Sequence, residues 1–280
     1  MPRGSRRTLG DGEGAMELRR QLRSQTEFGN EENAGQFLVI AWKRRKIVGM
    51  SKLPKYRTLI IFDVDGTLVD AHVLDNASFN HAFTEITGVT MTESLWSSLR
   101  EVTSQATIHQ ALGKERNEDM SLIKDKVRDA FLTKLNAGHG LDPVSINAFA
   151  GAVELVSHLK NHPELSVAIA TGCWKETAHF KLNAAGFDLD AIPFACASDC
   201  YSRAEIIALA VERAGKSLDQ TVYVGDGLWD LRATQQLGIP FIGVGGKIEE
   251  LRKAGARYTL EGFSADGLQR VLKQIQEDDD

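Results

Sequence analysis

From Thr58 onward the chain alternates short apolar runs with longer segments in which apolar residues recur at helical spacing. The runs Leu59-Ile60-Ile61-Phe62, Val167-Ala168-Ile169-Ala170, Phe194-Ala195-Cys196, Val222-Tyr223-Val224 and Phe241-Ile242-Gly243-Val244 are too short for helices and stop at or near Gly, Asp or Ser. Such runs predict strands of a parallel sheet covered on both faces. Ala152 to Lys160, Glu176 to Ala185 and Arg203 to Ala214 read as the crossover helices, the last two closing near Gly186 and Gly215 as helix C-termini do. The expected fold class is α/β, with a parallel sheet and crossover helices.

One interval breaks the alternation. From Ala71 to Ser145, about 75 residues carry mostly helical patterns, far more than a crossover connection needs. This predicts an inserted α-helical cap with helices at Asn76 to Ile86, Thr92 to Val102 and Asn117 to Leu135. The expected organisation is a core built from 55–70 and 146–275, a cap at 71–145, and an N-terminal extension at 1–54. The extension is rich in Arg, Glu, Gly and Asn without sustained periodicity, so disorder is expected there, because such a segment buries too little apolar surface to offset its ordering entropy. Two alternatives are a translation start at Met50 and a short docked helix at Met16 to Ser24.

With 280 residues, 42% of them hydrophobic, the chain can bury a large core. Its formal charge of -5 offers no basic surplus for a polyanion, which argues against nucleic acid and leaves a small phosphorylated metabolite as the better partner. Cys173, Cys196 and Cys200 cannot all pair and form no zinc pattern, so a reducing compartment is expected. The apolar stretch Phe37 to Trp42 is far shorter than the roughly 20 residues of a membrane helix. A cytoplasmic protein without membrane attachment is the expectation; oligomeric state is not legible.

The sharpest chemical feature is Asp63-Val64-Asp65-Gly66-Thr67-Leu68-Val69-Asp70, placed directly after the first apolar run. Alternation along an extended chain sends Asp63 and Asp65 to the same side, at the carboxyl end of a strand, where parallel sheets place ligands. Carboxylates that close repel, and the pair calls for a cation or a shared proton. Gly66 and Thr67 allow a tight turn whose N–H groups face an anion. A surface turn or a calcium loop is the competing reading, but the acidic series and final Glu of a calcium loop are missing.

Gly225-Asp226-Gly227-Leu228-Trp229-Asp230 repeats the arrangement after another strand. Asp226 there offers a hard oxygen ligand to Mg2+, and Asp230, one helical turn on, supports the metal shell. Thr171-Gly172 adds a hydroxyl and an N–H at a strand-to-helix junction, a phosphate contact or a plain helix cap.

These three elements in this order resemble the haloacid dehalogenase-like hydrolase superfamily, from about Thr58 to Leu272, and in particular its phosphoglycolate phosphatase-like and beta-phosphoglucomutase-like members. The resemblance implies an α/β fold with a Rossmann-like parallel sheet core and an α-helical cap inserted between the first strand and its following helix, Asp63 as nucleophile and Asp65 as general acid and base. It also implies Mg2+ bound by the Asp63 and Asp226 carboxylates and the Asp65 carbonyl, with Asp230 in support. The family's usual lysine before the last metal-binding strand is absent from Ser198 to Glu205. Arg203 is the candidate replacement, able to pair with a phosphoryl oxygen and to balance the carboxylates, against a solvated first-turn arginine as the alternative. Lys175 and Lys181 rank lower, because their places in the preceding helix suit surface residues. Trp174 and Trp229 read as packing residues before pocket residues, and His72 as an exposed linker residue.

Asp65 favours a phosphatase over a dehalogenase, since a phosphate ester's leaving oxygen needs an acid and the attacking water a base. A phosphomutase sharing the aspartyl-phosphate intermediate, and a non-catalytic binding protein on the same scaffold, are the two alternatives.

Overall fold

The computed structural model describes residues 58–113 and 119–279. The expectations for 1–54 lie outside the described residues. Among the described residues, six parallel strands form the main sheet: β1 (Leu59–Phe62), β4 (Ser166–Thr171), β5 (Phe194–Cys196), β6 (Thr221–Gly225), β7 (Phe241–Gly243) and β8 (Tyr258–Thr259), in the spatial order β5-β4-β1-β6-β7-β8. Every residue of β1 is buried, as its unbroken apolar run requires when helices cover both faces. The chain leaves β1 for β4 on one side and returns to β6 on the other, with Phe62 level with both Ile169 and Val224. That reversal of strand order opens a crevice at the carboxyl ends, where parallel sheets hold ligands.

Between β1 and β4 the chain crosses a two-stranded antiparallel ribbon, β2 (Val69–Asp70) and β3 (Asn147–Ala148), which the sequence pattern did not disclose. Two-residue strands are too short for a periodic signal. Among the described residues, four helices lie between β2 and β3: α1 (His72–Thr87), α2 (Glu93–Ser98), α3 (Ser104–Leu112) and α4 (Met120–Leu141). The single helix expected over Thr92 to Val102 is interrupted: Leu99 turns to an extended conformation, and Thr103 caps a new helix by accepting the Ala106 amide. α1 and α4 share an apolar cluster in which Phe79 meets Phe131 edge to face at 5.6 Å, beside Phe83, Val127 and Leu135.

The crossover helices fall close to expectation: α5 (Ala152–Lys160), α6 (Lys175–Ala184) and α7 (Arg203–Arg213), followed by α8 (Leu228–Leu237), α9 (Ile248–Lys253) and α10 (Ala265–Asp279). Among the described residues, no helix is long and apolar enough to cross a membrane.

Candidate functional site

The crevice gathers Asp63 one residue beyond β1, Asp226 one residue beyond β6, and Asp230 in the first turn of α8. One carboxylate oxygen from each of the three lies within 4.8 Å of the others. Gly66 makes this possible on one side: its φ of +77° belongs to glycine, and a Cβ there would strike the Asp226 carboxylate. Gly225 does so on another, since a Cβ would lie 2.6 Å from Asp230 Oδ2. Asp230 is fully buried and fixed by the Gly227 amide at 3.2 Å and the Tyr223 hydroxyl at 3.2 Å, both donating to it.

Burial dominates the electrostatics. It raises the Asp63 and Asp230 carboxyls above the ordinary carboxylate range in spite of Arg203, which pulls both down. Burial, reinforced by Asp63, pushes Asp226 up to about 7. Three carboxylates face one buried guanidinium here, an excess of negative charge that suits a divalent cation with oxygen ligands. Asp226 Oδ1 is buried and has no hydrogen-bond partner, which is the state expected of a ligand atom awaiting a metal.

Arg203 is not a solvated first-turn residue. It is 5% exposed, its Nη1 donates to Asp63 Oδ1 at 2.9 Å, and its Nε lies 3.4 Å from Asp230 Oδ1. Ser202 and Glu205 form a capping box that fixes the start of α7 and so the root of the arginine. The segment before α3 holds it from the opposite side: Nη2 donates to the Val102 carbonyl, and the Arg203 amide donates to Glu101 Oε2 at 3.2 Å. Gly172 leaves room for the guanidinium, because a Cβ there would lie 2.7 Å from Nη2. Its carbonyl accepts the Ser104 amide at 2.7 Å, a further tie to the same segment.

Asp65 is held apart from the carboxylate cluster. Its Oδ1 accepts from Lys181 Nζ at 2.5 Å and its Oδ2 from the Cys173 thiol at 2.7 Å. The Asp63–Asp65 pair therefore has two protein cations, one for each carboxylate, which answers the repulsion foreseen from their spacing. The turn after them differs from expectation in one respect: the Gly66 and Thr67 amides donate to Val69 and Val64 carbonyls and do not stand free. Thr67 is fully buried, and its hydroxyl is unpartnered. Thr171, 1% exposed, accepts the Cys173 amide through Oγ1 at 3.3 Å and closes the end of β4 as a cap.

A family model for haloacid dehalogenase-like hydrolases matches residues 60–244, about two thirds of the chain and every residue of the site described above. The chain belongs to the haloacid dehalogenase-like hydrolases. Solved structures of similar fold include a hydrolase from Pseudomonas syringae (TM-score 0.62, 23% identity, covering 78% of this chain and 99% of that one). Others are beta-phosphoglucomutase from Clostridium difficile (0.62, 15%, 79% and 98%) and CbbY from Rhodobacter sphaeroides in complex with phosphate (0.60, 21%, 76% and 99%). A comparison with curated proteins gives no match.

For a haloacid dehalogenase-like hydrolase, the unforeseen residue is Lys181. Sequence position inside α6 suggested a surface lysine, whereas it is fully buried. Thr177, Ala178, Lys181 and Leu182 form the buried face of α6, and helical side chains slant toward the N-terminus, so the long stem reaches back to the site. The only sequence signal was a lysine at the register of that apolar face. Lys175, by contrast, is exposed at the start of α6, and His72 is exposed on α1. Trp174 packs with Phe79 and Phe131 in the cluster of α1 and α4, while the Trp229 ring covers Gly227 with Lys247 Nζ 5.9 Å from its centroid. Cys196 is buried in β5 and all three cysteines are free thiols.

Proposed function

We propose that the protein is a Mg2+-dependent phosphatase that hydrolyses a small phosphorylated metabolite through an aspartyl-phosphate on Asp63. The observation that carries this reading is the buried carboxylate triad of Asp63, Asp226 and Asp230 around an unpartnered Asp226 oxygen, with Arg203 on Asp63. Mg2+ would be held by the Asp63 and Asp226 carboxylates and the Asp65 carbonyl, with Asp230 supporting them; when bound it supplies Lewis-acid neutralisation of phosphoryl charge.

In this mechanism the Asp63 carboxylate attacks phosphorus in line with the departing oxygen. Arg203 balances the charge that develops on the phosphoryl oxygens, aided by the Thr171 hydroxyl and the Gly172 amide at the end of β4. Asp65 gives its proton to the leaving oxygen, then takes one from the water that cleaves the acyl phosphate. The helices at 71–145 act as a cap over the crevice, and the segment at 101–105 is their contact with the catalytic end of the sheet. The Arg203–Asp63 pair supports activity over the non-catalytic alternative, because it supplies a buried cation at the nucleophile. The expected location is the cytoplasm.

The test is Mg2+-dependent phosphate release from a panel of phosphorylated metabolites and p-nitrophenyl phosphate, with Asp63→Asn as control. Metal-dependent release abolished in the variant is the expected result. Release that persists in Asp63→Asn, or none from any ester by folded protein, would overturn the reading.

A further inference from the structure

Lys181 Nζ touches three groups at once: Asp65 Oδ1 at 2.5 Å, Asp75 Oδ1 at 2.6 Å and Cys173 Sγ at 3.3 Å. Each comes from a different part of the fold. Asp65 lies in the turn after β1, Asp75 in the first turn of α1, and Cys173 in the loop between β4 and α6. An ammonium has three donors, and here the three neighbours account for them. Because Cys173 donates to the other oxygen of Asp65, both carboxylate oxygens are fixed by the 173–181 segment.

We infer that Lys181 is a positioning residue for Asp65: it sets the orientation of that carboxylate toward the leaving-group oxygen and ties it, through Asp75, to the first helix of the cap. This rests on the phosphatase reading, in which Asp65 is the acid and base. A freely rotating Asp65 would reach the leaving oxygen only part of the time, and proton transfer needs hydrogen-bond geometry at the moment the bond breaks. The lysine side chain is fully buried and its ammonium is taken up by Asp65, Asp75 and Cys173, so the effect assigned to it passes through Asp65. The charge balance is also informative. Counted by formal charge, Asp65, Asp75 and Lys181 sum to one negative charge, and removing Lys181 with Asp75 leaves that formal sum unchanged.

The role separates from simple structural support by its dependence on the leaving group. Esters of alcohols need Asp65 as acid to break the bond, whereas p-nitrophenolate leaves without a proton. The experiment compares the natural protein with Lys181→Met, the charge-balanced pair Lys181→Met with Asp75→Asn, and Lys181→Arg. Glycerol phosphate and p-nitrophenyl phosphate are followed through a single turnover in Mg2+, with an unfolding curve for each variant. The expected result for the charge-balanced pair is a loss of roughly 100-fold or more on glycerol phosphate, and a first-turnover nitrophenol burst within about threefold of the natural rate. Lys181→Arg is expected to recover part of the loss. Equal losses on both esters, or none on either, in folded protein would overturn the inference and leave Lys181 a packing residue. Turnover that survives Asp63→Asn would remove the reading on which it rests, an outcome distinct from both.

Discussion

The Arg203 guanidinium meets the Asp63 carboxylate at 2.9 Å across 140 residues of sequence. The contact joins the start of α7 to the end of β1. A guanidinium can hold Asp63 and Asp230 together and still present an edge to an anion, which a single ammonium does less well.

Replacing it tests that assignment. Arg203→Met should lower kcat/KM by about 100- to 1,000-fold, the cost of removing one strong donor to transition-state charge. It should also destabilise the metal-free protein by about 3–5 kcal/mol, because Asp63 and Asp230 lose their buried cation. Arg203→Lys should fall between the two in steady-state assays and urea unfolding. Natural activity in Arg203→Met would show that the arginine is structural only.

Asp226 provides the pH dependence. Its carboxyl is pushed up to about 7, chiefly by burial, so the folded metal-free protein keeps a proton there that the unfolded chain has already released. This contribution to stability is complete below the ordinary carboxylate range and is lost as pH rises through about 7. Its size is at most about 4 kcal/mol, at roughly 1.4 kcal/mol per unit. Asp63 and Asp230, raised by burial as well, act in the same direction. In the proposed reading Mg2+ binds the ionised form, so it should raise Tm more at about pH 8 than at about pH 6, and Asp226→Asn should blunt the difference. An equal Mg2+ shift at both pH values would contradict this.

Gly66→Ala should separate backbone strain from metal binding. The positive φ alone costs about 1–2 kcal/mol, and the new methyl would displace the Asp226 carboxylate. Loss of the Mg2+-dependent rise in Tm, together with reduced stability in urea, is expected. A variant that unfolds early yet keeps the full Mg2+ response would separate Gly66 from the metal site.

Trp174 probes the seam between the start of α6 and the helices α1 and α4. It precedes α6 in the chain but is buried against Phe79 and Phe131, so Trp174→Ala should cost about 3–5 kcal/mol in chemical denaturation. A cost under about 1 kcal/mol would mean that the seam closes over the cavity or contributes little.

The sequence by itself determined the sheet and the carboxylates. The strands read as short unbroken apolar runs and the crossover helices carry a period of about 3.6 residues, and each acidic motif sits directly after its strand, so a short stretch of chain fixes both the element and the side its carboxylates face. Leu59 to Phe62 with Asp63, and Val222 to Val224 with Asp226, were legible for that reason. The β2–β3 ribbon and the break after Ser98 were not, because two-residue strands and a single extended residue leave no period to read. Only the tertiary structure decided which cation serves which carboxylate. Sheet order places α7 so that Arg203 reaches Asp63, and α6 so that Lys181 reaches Asp65 and Asp75. A lysine on a helix has the same local pattern whether it faces water or a buried carboxylate pair. What settles the matter is the packing of distant segments, which supplies the opposite charge that makes burying the ammonium tolerable.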